Sequence, residues 1–194
     1  GMGGILRSPC LPSPALSKAL GCDVVVKLEN LQATGSFKER GAYARLAALS
    51  EAERRRGVVA ASAGNHAQGV ARHATAMGIT ATIVMPEDAP NVKVANTKAL
   101  GADVVLYDRN GEDRELISAE IAERTGAPIV PPYDHPAIIA GQGTAGLEAM
   151  QQMNELGVVP DIIVAPCSGG GLIAGCSIAV KAAAPEARVI AAEP

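Results

Sequence analysis

Three short segments of this sequence carry residues whose types and spacing can do chemistry. In Thr34-Gly35-Ser36-Phe37-Lys38-Glu39-Arg40-Gly41, Ser36 and Glu39 have the spacing of a capping box. That predicts a helix starting at Ser36, with Lys38 in its first turn. A lysine there faces the positive end of a helix, so its proton affinity is expected to fall, and a neutral amine is what attack on a carbonyl requires. The commonplace alternative is a solvated surface lysine. In Ser62-Ala63-Gly64-Asn65-His66-Ala67-Gln68-Gly69, small polar residues lead into a second helix. Ser62 and Asn65 can cap that helix or, with backbone N–H groups, hold a small anion such as a carboxylate. His66 is a general base or merely a capping donor, and His66, His73 and His135 form no metal-ligand motif. In Cys167-Ser168-Gly169-Gly170-Gly171-Leu172-Ile173-Ala174-Gly175, consecutive glycines let the backbone wrap a phosphate. Gly169, Gly171 and Gly175 also make a GxGxxxG pattern, with Glu193 about 20 residues on, where the acid of a dinucleotide-binding unit would meet a ribose. Local sequence leaves both readings of this loop open.

These loops need strands and helices to hold them. Apolar runs at 23–28, 58–62, 79–85, 103–107, 128–130, 161–165 and 188–192 read as strands. Most are continuous in Val, Ile and Ala, as expected of strands covered on both faces of a parallel sheet. Helical patterns at 91–100, 112–125 and 172–184 lie between them, which predicts a doubly wound α/β architecture. Each chemical segment then falls between a strand and a helix start, at the strand ends where such sheets take their ligands. Glu53-Arg54-Arg55-Arg56-Gly57 reads as a solvated helix end with a glycine stop, and Pro131-Pro132 marks a second break. Residues 57–133 therefore form a candidate lobe of their own.

Composition removes several function classes. Hydrophobic residues make up 48%, enough for a sizeable core, and 21 glycines with 13 prolines suit tight turns around packed helices. Aromatic residues are only 2% (Phe37, Tyr43, Tyr107 and Tyr133) and the net charge is −3, so a nucleic-acid module is poorly supported. No apolar run approaches the about 20 residues of a membrane span, and residues 1–7 carry no visible signal peptide. Cys10, Cys22, Cys167 and Cys176 show no CxxC pair, which favours free thiols in a reducing cytoplasm.

A first-turn lysine, a carboxylate-sized loop and a phosphate cup together suit pyridoxal 5'-phosphate acting on a small amino-acid substrate. The sequence closely resembles the fold-type II pyridoxal-phosphate enzymes, in the branch of threonine/serine dehydratases and serine racemases. The matching pieces run in order along nearly the whole chain: Lys27-Leu28-Glu29-Asn30-Leu31-Gln32, Gly35-Ser36-Phe37-Lys38, then the run from Ser62 to Gly69. They continue with Met85-Pro86-Glu87-Asp88-Ala89-Pro90, Ala140-Gly141-Gln142-Gly143-Thr144, the run from Gly169 to Gly175, and Ala192-Glu193-Pro194. By this resemblance the fold is two-lobed, like the tryptophan synthase β subunit, each lobe a parallel sheet flanked by helices. Residues 1–56 and 134–194 would be the large cofactor domain, incomplete at its C-terminus, and 57–133 the small inserted domain.

The resemblance also implies roles. Lys38 would hold the cofactor covalently and later remove the substrate Cα proton, and Phe37 would pack against the cofactor ring. Asn65 would bond the ring hydroxyl, while Ser62, Gly64, Asn65 and His66 bind the substrate carboxylate. Ser168, Gly169, Gly170, Gly171 and Leu172 would hold the phosphate through backbone N–H groups. Glu193 would help bind a divalent cation (Mg, Ca or Mn), and the protein would be a homodimer. Two positions depart from the pattern. Racemases place a second acid/base serine where this chain has Ala63, and a methyl group cannot return a proton to Cα, so elimination should dominate. Ser168 replaces a glycine common in the phosphate loop. The expected activity is thus a dehydratase (ammonia-lyase) for threonine or serine. The alternatives are a serine/aspartate-type racemase, a hydroxyaspartate dehydratase, or an inactive truncated cofactor-binding fragment, because the family usually continues beyond Glu193-Pro194.

Overall fold

The computed structural model describes residues 4–193. The start of the 1–7 stretch and Pro194 of the closing Ala192-Glu193-Pro194 motif lie outside the described residues. The chain begins with β1 (Cys10–Pro12), α1 (Pro14–Leu20) and β2 (Val25–Lys27). The expected strand at 23–28 is thus shorter, and it pairs antiparallel with β1, Leu11 opposite Val26. The reason is local: α1 opens on Pro14, stops on Gly21 at φ +69°, and turns the chain straight back on itself. Two helices follow, α2 (Lys38–Ala47) and α3 (Glu51–Arg56). The arginine-rich helix end and its Gly57 stop are where the sequence puts them, and Ser50 with Glu53 forms a reciprocal capping box.

A three-stranded parallel sheet comes next: β3 (Val58–Ala61), β4 (Ala81–Pro86) and β5 (Asp103–Tyr107), with β4 in the middle. Neighbouring residues on one strand belong to different cores. Val58, Ala60, Ile83 and Met85 share one buried cluster, while Val59, Val84 and Tyr107 share another. That is why these strands read as continuous apolar runs: both faces are covered. One cover is α4 (Asn65–Ala76), whose Ala67, Val70, Ala71 and Ala74 are buried. The opposite cover is α6 (Arg114–Thr125), through Ile121, and α5 (Asn91–Ala99) connects β4 to β5.

The expected strand at 128–130 is reduced to a single parallel bridge, Ile129 to Val59. Val59 N–H donates to the Pro128 carbonyl and Val130 N–H to the Val59 carbonyl. Pro131 and Pro132 then have no N–H to extend the ladder. This bridge delivers the chain to α7 (Pro136–Glu155), a 20-residue helix. Its glycines allow close backbone packing: a Cβ on Gly141 would lie 2.7 Å from the Gly41 Cα of α2, and one on Gly143 would lie 2.8 Å from the Gly175 carbonyl oxygen. The second of these contacts is to α8 (Gly171–Ala183), which follows β6 (Ile162–Pro166) and leads to β7 (Arg188–Ala192), parallel to β6. No helix among the described residues is long and apolar enough to cross a membrane.

Candidate active site

Helix α2 begins at Lys38, not at Ser36, and the capping box expected of Ser36 and Glu39 does not form. Ser36 Oγ accepts the Lys38 N–H at 3.2 Å. The Glu39 carboxylate instead turns inward, accepting from the Thr34 N–H and from Arg72 at 2.8 Å, with His73 Nε2 at 3.4 Å. Glu39 is fully buried, and a buried carboxylate must meet cations and donors before it can serve a helix end. Burial alone would raise its proton affinity, but the bonds from His73 and Thr34 and the charge of Arg72 hold it below the usual carboxylate range.

Lys38 makes no ion pair among the described residues. Its amine donates to the Pro132 carbonyl at 2.6 Å and stands 5.4 Å from the centre of the Phe37 ring. Burial pushes its proton affinity down, in the direction expected from sequence. Desolvation causes this, whereas the sequence argument rested on the helix end.

The amine opens into a cavity of about 180 Å³. Phe37, Lys38, Ser168, Gly169, Gly170, Gly171 and Leu172 all line it, so the tertiary fold brings two of the three chemical segments together. The glycine loop joins β6 to α8, and no side chain caps the helix. Gly170 has φ +84° and borders open space, which leaves the backbone N–H groups at the start of α8 without helical partners. Ser168 is exposed. Four further lining residues were given no role from sequence: Pro132, Tyr133, Gln142 and Pro166. Gln142 sits inside a motif that could have flagged it. Pro132 and Tyr133 carried only the signal of a chain break.

The third segment stands beside this cavity without lining it. Ser62 Oγ accepts the Gly64 N–H at 3.1 Å, Gly64 is the residue preceding α4, and Asn65 is exposed. Neither Ser62 nor Asn65 caps the helix by its side chain. His66 is buried, and its Nε2 meets the Val130 carbonyl at 2.9 Å. Burial and then the nearby Lys38 charge lower its proton affinity to about 4 against the pull of that carbonyl. The ring is therefore neutral at pH 7, with Nε2 as the donor. That nitrogen is engaged by the carbonyl and acts as a donor. The segment is close to the lysine through its helix: a Cβ on Gly69 would lie 3.4 Å from the Lys38 carbonyl oxygen.

Glu193 is exposed and lies next to Cys167, whose thiol is pushed up by partial burial and then by the Glu193 carboxylate. Among the described residues no group of three or more His, Cys, Asp or Glu could hold a metal ion.

The donor set suits a phosphorylated aldehyde. The amine with weakened proton affinity suits the aldehyde, the N–H groups at the Gly170 turn suit the phosphate, and Phe37 and Leu172 offer apolar surface to a ring between them. A dinucleotide would leave the half-buried lysine without a purpose.

Comparison with known proteins shows the family. The family model described as pyridoxal-phosphate dependent enzyme matches residues 2–194. The L-threonine ammonia-lyase of Thermotoga maritima is 50% identical over 184 residues, which is 95% of this chain and 45% of the relative. The serine racemase of Schizosaccharomyces pombe is 45% identical over 188 residues, covering 97% of this chain and 57% of the relative. The processed form of threonine deaminase isoform 2 from Solanum lycopersicum superposes with a TM-score of 0.92 at 40% identity, covering 99% of this chain and 55% of that one. The chain thus spans about half the length of the relatives it matches. The chain belongs to the family of pyridoxal-phosphate dependent enzymes, and its fold is the fold-type II α/β arrangement of that family.

Proposed function

We propose that this chain carries the catalytic lysine and phosphate site of a dehydratase (ammonia-lyase) that converts threonine or serine to a 2-oxo acid and ammonia. One observation carries the reading: a half-buried amine without a carboxylate partner among the described residues shares one small cavity with a glycine-rich loop. When bound, pyridoxal phosphate withdraws electrons from the substrate Cα, which makes the Cα proton removable and the β-hydroxyl able to leave. Lys38 would hold the group through its aldehyde and, once freed, its amine would take the Cα proton. The Pro132 carbonyl, within 2.6 Å, accepts from the ammonium so formed. Backbone N–H groups of residues 168–172 would hold the phosphate, Phe37 would pack on the ring, and Asn65 would hold the ring hydroxyl. The Ser62, Gly64, Asn65 and His66 segment takes the substrate carboxylate on its N–H groups and the Ser62 hydroxyl.

Ala63 packs against the apolar core and has no proton to give, which favours elimination over racemisation. In this reading 57–133 is a small lobe inserted between 1–56 and 134–194, and the substrate lies between lobes. The protein is a homodimer working in the cytoplasm, the latter in keeping with four free cysteines among the described residues. Glu193 has no ligand set around it among the described residues, so no step is assigned to a cation.

The test is to load the protein with pyridoxal phosphate, reduce with borohydride and locate the adduct by mass. The adduct should map to Lys38, and L-threonine or L-serine should yield 2-oxo acid and ammonia in equal amounts. Absence of the adduct, or full turnover by Lys38→Ala, overturns the proposal. Accumulation of the D-enantiomer would move the assignment to a racemase.

A further inference from the structure

The glycine loop poses a problem of order. Gly169, Gly170 and Gly171 have the greatest backbone freedom of any residues, yet a phosphate cradle must be held in one shape before the ligand arrives. No side chain caps α8, so the restraint has to come from elsewhere. The neighbouring element is the 131–134 segment. A Cβ placed on Gly169 would overlap the Tyr133 ring, which therefore lies directly on the Gly169 backbone. A Cβ on Gly171 would lie 2.7 Å from the Tyr133 carbonyl oxygen and 3.1 Å from its Cα. One residue earlier, the Pro132 carbonyl accepts from the Lys38 amine at 2.6 Å. Two adjacent residues thus touch both halves of the site.

We infer that Tyr133 is a positioning residue that clamps the glycine loop by its ring and main chain, while Pro132 spaces Lys38 from the same loop. This rests on the function proposed above. Tyr133 is 43% exposed and belongs to none of the buried apolar clusters, so the fold does not need it as core. Pro131 and Pro132 restrict the backbone leading to it, which gives the clamp a rigid base. The geometry also explains why Gly169 is glycine. It does not use positive φ, so the obstacle to a side chain is the Tyr133 ring itself.

The experiment measures binding, not turnover. Affinities for pyridoxal phosphate and for pyridoxal, which lacks the phosphate, are titrated by absorbance for wild type, Tyr133→Ala, Tyr133→Phe, Gly169→Ala and the Tyr133→Ala/Gly169→Ala pair. Releasing about one residue of ordered loop should weaken pyridoxal phosphate about tenfold in Tyr133→Ala and leave pyridoxal within about twofold. Tyr133→Phe should bind both as wild type does. Gly169→Ala should lose about as much as Tyr133→Ala, and the pair no more than either alone, because both changes break one contact. Should Tyr133→Ala not fold, Gly169→Ala reads the same contact from the other side. Wild-type affinity for pyridoxal phosphate in Tyr133→Ala, equal losses for both ligands, or additive losses in the pair overturn the clamp. Wild-type protein that forms no adduct at Lys38 overturns the functional reading, and the clamp with it.

Discussion

Lys38 and Arg40 stand two residues apart on one helix, and the fold treats them in opposite ways. The Arg40 side chain has no exposed surface, and its donors are saturated. It bonds Glu29 through Nε at 2.7 Å and Nη2 at 2.8 Å, Glu148 through Nη1 at 3.0 Å and Nη2 at 2.7 Å, and Thr144 Oγ1 at 3.0 Å. Lys27 completes the cluster by bonding Glu148 at 2.8 Å and Gln152 at 2.7 Å. Two cations thus meet two carboxylates. Burial opposes the Arg40 charge, but Glu29 and Glu148 more than offset it and hold the proton more tightly than usual. Lys38 meets only a carbonyl, and burial loosens its proton. A buried cation with partners is a fastening between α2, α7 and the N-terminal strands. A half-buried cation without them is a reagent.

The comparison can be broken from either end. The largest effect is expected on chemistry: Lys38→Met should lower turnover by at least about a thousandfold and abolish the borohydride-trapped adduct. Its urea midpoint should stay at or above wild type, since an unpaired, half-buried charge has been removed. Arg40→Met should do the reverse to the fold. It leaves Glu29 without its cation and Glu148 with Lys27 alone, and unfolding free energy should drop by about 3–5 kcal/mol in equilibrium denaturation.

A third prediction concerns His66, the other titratable group beside the amine. Its proton affinity is about 4 in the folded chain against 6.5 for an unperturbed histidine. The unfolded state therefore binds the proton first. Stability from keeping the ring neutral is complete above about pH 6.5 and is lost as pH falls towards 4, by about 3 kcal/mol in all. His66→Gln, which can still donate to the Val130 carbonyl, should flatten that slope in unfolding curves between pH 6.5 and 4.5. Below this range the carboxylates of Glu39 and Glu148, both held below their usual range, add their own loss as they protonate.

The smallest effect distinguishes two serines. Ser50→Ala should cost about 1 kcal/mol by breaking a formed capping box, whereas Ser36→Ala should cost less, since Ser36 Oγ accepts one N–H while Ser50 Oγ both accepts from Glu53 N–H and donates to its carboxylate at 2.7 Å.

Much of this was legible in the residues. The strands at 58–61, 81–86, 103–107, 162–166 and 188–192 lie within two residues of where apolar runs predicted them. Burial on both faces accounts for the uninterrupted pattern at 58–61 and 81–86, whereas 162–166 and 188–192 keep the pattern with most of their residues exposed. The 128–130 run carried the same pattern and formed only a bridge, since prolines bound it. The Ser36–Glu39 capping box was a sound local reading overridden at long range: Arg72 and His73, far along the chain, claimed the carboxylate. Tyr133 and Pro132 were invisible as site residues for a related reason. Their contribution is a carbonyl and a ring face, and neither leaves a motif.

The sequence alone determined the kinds of chemistry available: an amine at a helix start, a glycine loop after a strand, and a small polar loop near them. Those follow from residue type and from short-range hydrogen bonding, which a few neighbours decide. Only the tertiary structure decided that Lys38 and the Ser168 loop share one cavity, that His66 turns to a carbonyl, and that Arg40 is neutralised while Lys38 is not. The reason is that proton affinity and reach depend on what lies across a gap, and those groups come from parts of the chain about a hundred residues away.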